Sequence, residues 1–273
     1  MIYTTKILIR AFARVFPECG LNAQAIAFNL FVSFFPFLLL ILGLVAASGS
    51  LSAAVLSTLH DLRFVLPPGS RQVLTDFLTA QGHQARGLLT VGAVGTVLLG
   101  TQVMSGFLTG FRRVYRDKAE YSFLGDQIRG LFLLVVSVIP LLAVSLLTVF
   151  GQPVRRWMIQ HLGLPGLFNF LWLAVYVSLA LVLATLVLAL LYHVGHPRRG
   201  QGWDDSLPGA FAATLLWWVV NSAFGAYVRE VPYSIVYGGL AAAIGLAIWM
   251  NLSALVVLYG AAFNAEREAQ RGG

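Results

Sequence analysis

The densest positive charge in this chain lies in Arg112, Arg113, Arg116 and Lys118. A guanidinium presents a planar fork of donors that grips phosphate or carboxylate through two parallel bonds. A group of three arginines within five residues is therefore a candidate anion site. A stripe of polar side chains at helical spacing, Gln102, Ser105, Thr109, Arg113 and Arg116, runs down to it. Other neutral polar residues also align. Asn22, Asn29, Ser33 and Pro36 share one helical face, Thr214, Trp218, Asn221 and Gly225 share another, and Asn251 stands alone in a long apolar run. Such stripes have two readings. They are interhelical hydrogen bonds, worth about 0.6 kcal/mol each in a membrane, or they line a polar groove. The second gains when three helices each present one. Asp204 and Asp205 likewise have two uses, as partners for the dipole of a helix that starts beside them or as salt-bridge partners for the arginine group.

The elements that must position these residues are membrane spans. Hydrophobic residues make up 58% of the chain and charged residues 11%, against about 25% charged in soluble domains. A hydrocarbon core of about 30 Å needs about 20 apolar residues of helix. Six stretches satisfy that, at 21–48, 87–111, 131–151, 168–192, 208–228 and 237–263. The expected fold class is all-α: a polytopic membrane protein with six transmembrane helices in a single membrane domain over 1–273. Residues 1–20 read as an interfacial amphipathic helix, with Lys6, Arg10 and Arg14 on one face. Residues 49–86 read as an outer helical hairpin broken at Pro67-Pro68-Gly69. Ser206 before Leu207-Pro208 reads as the cap of the fifth span, with proline in its first turn.

Basic residues fall unevenly on the two sides. Lys6, Arg10, Arg14, the residue 112–129 connection, Arg198, Arg199, Arg267 and Arg271 lie on one side, giving it 12 of the 18 lysines and arginines. The positive-inside rule makes that side cytoplasmic and puts both termini there. The net charge of +7 then belongs to helix ends facing anionic lipid. No connection is long enough for the basic surface that nucleic-acid binding requires, so no nucleic-acid partner is expected. The expected partners are membrane lipids, with anionic headgroups at the inner leaflet, and a homo-oligomer is compatible with the sequence.

Chemistry by catalysis has little support. No acidic, basic or histidine side chain falls in the middle of a span, where proton relays usually place theirs. The five histidines are scattered, a single cysteine rules out a Cys-based zinc cage, and no HExxH, GxSxG or P-loop occurs. No metal and no cofactor are expected. Gly106 and Gly110 form a GxxxG that reads as close packing.

Four segments resemble the YihY/BrkB family of bacterial inner-membrane proteins: AIAFNLFVSFFPFLLLILGL at 25–44, GFRRVYR at 110–116, the GWDDSLPGAF segment opening 202–228, and VPYSIVYGGL…GAAFNAE over 231–266. By position, the family's serine–proline element falls on Ser33 and Pro36, its basic element on Arg113 and Arg116, and its Trp–Asp–Gly pattern on Trp203, Asp205 and Gly209. The turn into the last span matches Pro232, Tyr233, Ser234, Tyr237 and Gly238. Two departures stand out. Phe28-Asn29 replaces a tyrosine pair, and Gly260-Ala261-Ala262-Phe263-Asn264 lacks the glutamate of the family's Gly-x-Glu-x-Asn. The resemblance implies a six-helix protein of the bacterial inner membrane with transport as the favoured activity. Members have carried the label ribonuclease BN, but a ribonuclease needs a metal-binding acid cluster or a histidine pair, and neither is present. The expected function is movement of a lipid, a lipid-linked envelope precursor or another amphipathic anion. The expected site comprises Asn29, Ser33, Pro36, Gln102, Arg112, Arg113, Arg116, Asp205, Asn221 and Asn251. The alternatives are a scaffold or envelope assembly factor that moves nothing, and a transporter of small ions or solutes.

Overall fold

The computed structural model describes residues 10–11, 19–48, 83–117, 122–138, 140, 165–196, 202–230 and 240–271. They form α1 (Gly20–Ala47), α2 (His83–Tyr115), α3 (123–138), α4 (Pro165–Gly195), α5 (Trp203–Glu230) and α6 (Leu240–Arg271). Five of these, all but α3, are long and apolar enough to cross a membrane. Of the third expected span, residues 131–138 are described as the second half of α3. Most of the expected N-terminal amphipathic helix and of the 49–86 hairpin lies outside the described residues.

The packing is that of a helical membrane protein. Large apolar side chains point outward, among them Leu21, Phe28, Phe35, Val91, Leu98, Val182, Phe211, Trp218 and Val219. Buried positions are often small: Ala23, Ala27, Ala189, Ala210, Ala213, Ala254, Ala261 and Ala262. Lipid tails are as apolar as leucine, so burying large side chains gains little. Helices associate where small residues let backbones approach and pack.

The helices overrun the expected spans. α2 continues past 111 to Tyr115, and α6 continues past 263 to Arg271. Backbone hydrogen bonding does not stop at the edge of the hydrocarbon; it stops where a cap or a neighbour ends it. The start of α5 is a correction. The helix begins at Trp203, so Ser206 is a buried residue inside it rather than its cap, and Pro208 is the sixth helical residue. Asp204 and Asp205 occupy the first turn, where carboxylates complement the helix dipole.

The chain forms two compact units, Asn29–Gln102 and the remainder, Met1–Phe28 with Val103–Gly273. Within the first, α1 and α2 approach closely at glycines. A Cβ at Gly92 would run into the backbone of Leu40, and one at Gly95 would lie 2.6 Å from Cβ of Pro36. Within the second, α5 packs against both α4 and α6. The GxxxG of α2 is a contact surface there: Gly106 faces Ile26 and Gly110 faces Leu258.

Candidate functional site

The end of α2 divides the arginine group. Arg112 is clasped by Asp126 of α3, Nη1 to Oδ1 at 2.9 Å and Nη2 to Oδ2 at 2.6 Å. This is a fork-to-fork pair, with side chains only 16% and 19% exposed. Nη2 also donates to the Thr109 hydroxyl at 3.1 Å. The Ser105 hydroxyl donates to the Asp126 carbonyl at 3.3 Å. Arg112 therefore joins two helices, and its charge is neutralised where it stands.

Arg113 and Arg116 are exposed. Arg116 is also the residue that turns the chain out of α2. Its N–H donates to the Arg113 carbonyl at 3.1 Å, and that of Asp117 donates to the Arg112 carbonyl at 2.9 Å. These two bonds define a Schellman ending, whose pivot residue must be left-handed. Arg116 meets this with φ of 54°, a conformation that costs a non-glycine residue about 1–2 kcal/mol.

A second polar group gathers where α4, α5 and α6 meet. Proline has no N–H, so Pro208 leaves the carbonyl of Asp204 without its helical donor. Arg267 of α6 reaches that carbonyl at 3.4 Å. One turn earlier on α6, the Asn264 amide is buried and serves both ways. Its Oδ1 accepts from the Gly209 N–H at 2.7 Å, and its Nδ2 donates to the Ser206 carbonyl at 3.0 Å. Arg271 pairs with Asp205 at 2.8 Å. The close approach is possible because Gly209 and Gly260 face each other: a Cβ on either would overlap the carbonyl oxygen of the other. Tyr192 of α4 donates its hydroxyl to the Val257 carbonyl at 2.7 Å and lies against Gly260. At the end of α4, the His193 ring stacks on Trp203, 4.5 Å between centroids and 11° between planes. His196 meets the Tyr115 ring at 4.2 Å, and its Nε2 lies 3.5 Å from Glu268.

The residues expected to form one site are distributed as follows. Asn29, Ser33, Pro36 and Gln102 belong to the Asn29–Gln102 unit. There Ser33 donates to the Leu30 carbonyl of its own helix at 2.9 Å, Asn29 is half-buried and Gln102 is exposed. Arg112, Arg113, Arg116, Asp205, Asn221 and Asn251 belong to the other unit. Asp205 pairs with Arg271, not with the arginine group. Asn221 accepts from the Trp249 indole at 2.7 Å, Thr185 donates to the Thr214 hydroxyl at 3.1 Å, and Trp217 donates to Ser253 at 3.2 Å. Much of the α5 polar stripe is thus used in bonds between helices, while Trp218 of that stripe is 63% exposed. Asn251 is half-buried on α6. Among the described residues, no three His, Cys, Asp or Glu side chains converge to hold a metal ion.

A sequence model described as virulence factor BrkB matches residues 16–273. The chain belongs to the BrkB family. It is 28% identical over 247 residues to a Bacillus subtilis protein named as ribonuclease-like, YfkH, covering 89% of this chain and 88% of that one. It is 24% identical to a UPF0761 membrane protein of Alteromonas mediterranea, covering 89% and 81%. A UPF0761 membrane protein of Janthinobacterium is 26% identical, covering 76% of this chain and 45% of that one. No solved structure matches. With its apolar helices, this BrkB-family chain is a multi-pass protein of the bacterial inner membrane.

The α5–α6 junction gathers three of the residues that carry the family resemblance. Trp203, Asp205 and Gly209 each have a partner there: His193, Arg271 and the Gly260–Asn264 turn. Ala262, at the position where the resemblance implies a glutamate, is fully buried. Asp126 and Tyr192 carry no signal within their own helices, and Ser206 reads there as a cap rather than as a bonding partner. One signal was present: a proline six residues into a helix requires a donor from elsewhere, and Asn264 and Arg267 are polar residues at the end of the next apolar helix.

Proposed function

We propose that this protein moves an amphipathic anion across the inner membrane, a lipid or lipid-linked envelope precursor, through a six-span bundle with both termini in the cytoplasm. The observation that supports this reading is the division of the arginine group. Arg112 is neutralised by Asp126, while Arg113 and Arg116 remain exposed at the α2 end. In this reading an anionic headgroup at the inner leaflet is gripped by those two guanidiniums. Basic residues at the membrane surface also raise the local concentration of anionic lipid. The reading assigns the chain no hydrolytic step, because binding and release of a headgroup need no reacting group.

The test is headgroup movement in proteoliposomes, with labelled lipids of several headgroup charges. The variant is Arg113→Gln combined with Arg116→Gly, which removes both charges while keeping a residue suited to the left-handed turn. Movement of anionic lipid should fall about tenfold or more, as expected for losing charge-assisted bonds. Undiminished movement in the folded double variant would remove the site assignment. A non-transporting scaffold is the second reading, favoured by the bonds that occupy Thr214, Asn221 and Ser253 between helices. It predicts no protein-dependent movement of any lipid or small anion.

A further inference from the structure

We infer that the last two turns of α6 form a proton-responsive clasp across the ends of α4 and α5, with His196 as its sensor. Asn264, Arg267, Glu268 and Arg271 stand at helical spacing and so share one face of α6. Three of them hold the first turns of α5: Asn264 by the Ser206 carbonyl and Gly209 N–H, Arg267 by the Asp204 carbonyl, Arg271 by the Asp205 carboxylate. The fourth, Glu268, faces His196 at the end of α4. The face thus reaches both ends of the connection between α4 and α5. That first turn of α5 depends on such help, because Pro208 deprives Asp204 of its own helical partner.

His196 is placed to sense protons. Its side chain is 2% exposed, and Nε2 stands 3.5 Å from the Glu268 carboxylate, longer than the about 2.7–2.9 Å of an N⁺–H···O⁻ bond. Among the described residues, Tyr115 from α2 and Glu268 from α6 face it. On its own helix, His193 is one turn back and stacked on Trp203 of α5. Arg267 and Arg271, which flank Glu268, are engaged with Asp204 and Asp205. A proton on His196 puts a positive charge opposite Glu268 and draws the two into a charge-assisted bond. A buried imidazolium is costly alone, and the carboxylate offsets that cost. The sign follows. The clasp is tight when His196 is protonated and loosens as rising pH removes that proton.

The test is hydrogen exchange of the full-length protein in lipid nanodiscs, read on the backbone amides of residues 202–207 and 209 at about pH 5.5 and about pH 8. After correction for intrinsic exchange, opening of this segment should be at least about fivefold rarer at the lower pH, the effect of one added charge-assisted bond. Glu268→Gln should abolish that ratio, and Glu268→Asp, which keeps the charge, should retain most of it. Arg271→Gln should loosen the segment at both pH values and leave the ratio in place. A ratio near one in the native protein, a reversed ratio, or a ratio unchanged in Glu268→Gln would each overturn the inference.

Discussion

Replacing Asn264 tests whether the α5–α6 junction is held by backbone capture. The amide is 4% exposed and makes two bonds to α5, at 2.7 and 3.0 Å. Interhelical hydrogen bonds in membranes average about 0.6 kcal/mol, so two set a floor of about 1.2 kcal/mol. Leaving a buried donor or acceptor without a partner costs about 1–3 kcal/mol. Each group also has a possible partner on its own helix, the Ala210 N–H for the Ser206 carbonyl and the Asp205 carbonyl for the Gly209 N–H, so the cost falls between these figures. That places Asn264→Leu, which keeps most of the volume, at about 2 kcal/mol. Asn264→Ala adds a cavity beside Gly209 and should cost about 1 kcal/mol more. The assay is reversible unfolding in mixed micelles or by steric trapping, with the wild type in the same lipid. If both variants stay within about 0.5 kcal/mol of wild type, the Pro208-opened turn is satisfied by water and the clasp contributes little.

Three further outcomes follow from the same geometry. Gly260→Ala should reduce stability by about 1–3 kcal/mol and lower the yield of folded protein, because its Cβ would meet Ala213 and the Gly209 carbonyl, each at 2.7 Å; thermal unfolding in detergent reads this. Arg116→Gly alone should raise stability by about 1 kcal/mol by relieving the left-handed residue at the α2 end, measured in the same unfolding assay. Asp126→Asn should cost about 1–2 kcal/mol, since Arg112 keeps a hydrogen-bond acceptor but loses its opposite charge; the loss should be smaller at high salt only if water reaches the pair.

Sequence alone was enough to fix the solvent of this protein and the rough position of its long apolar helices. That signal is local and additive: about 20 consecutive apolar residues suffice, whatever lies next to them. It also marked the arginine group, because charge beside a span is rare and visible. Which arginine is structural was decided only by the fold, since Asp126 lies 14 residues from Arg112 and is one of several carboxylates within reach along the chain. The start of α5 was misread for the same reason. Pro208 looks like a first-turn residue until Arg267, 63 residues away from Asp204, supplies the missing donor. The same holds for the polar stripes. Helical spacing shows which residues share a face, but not what that face meets, and Asn221 and Thr214 turn out to meet Trp249 and Thr185. Hydrogen bonds and close glycine contacts need two surfaces, and the second surface is chosen by packing.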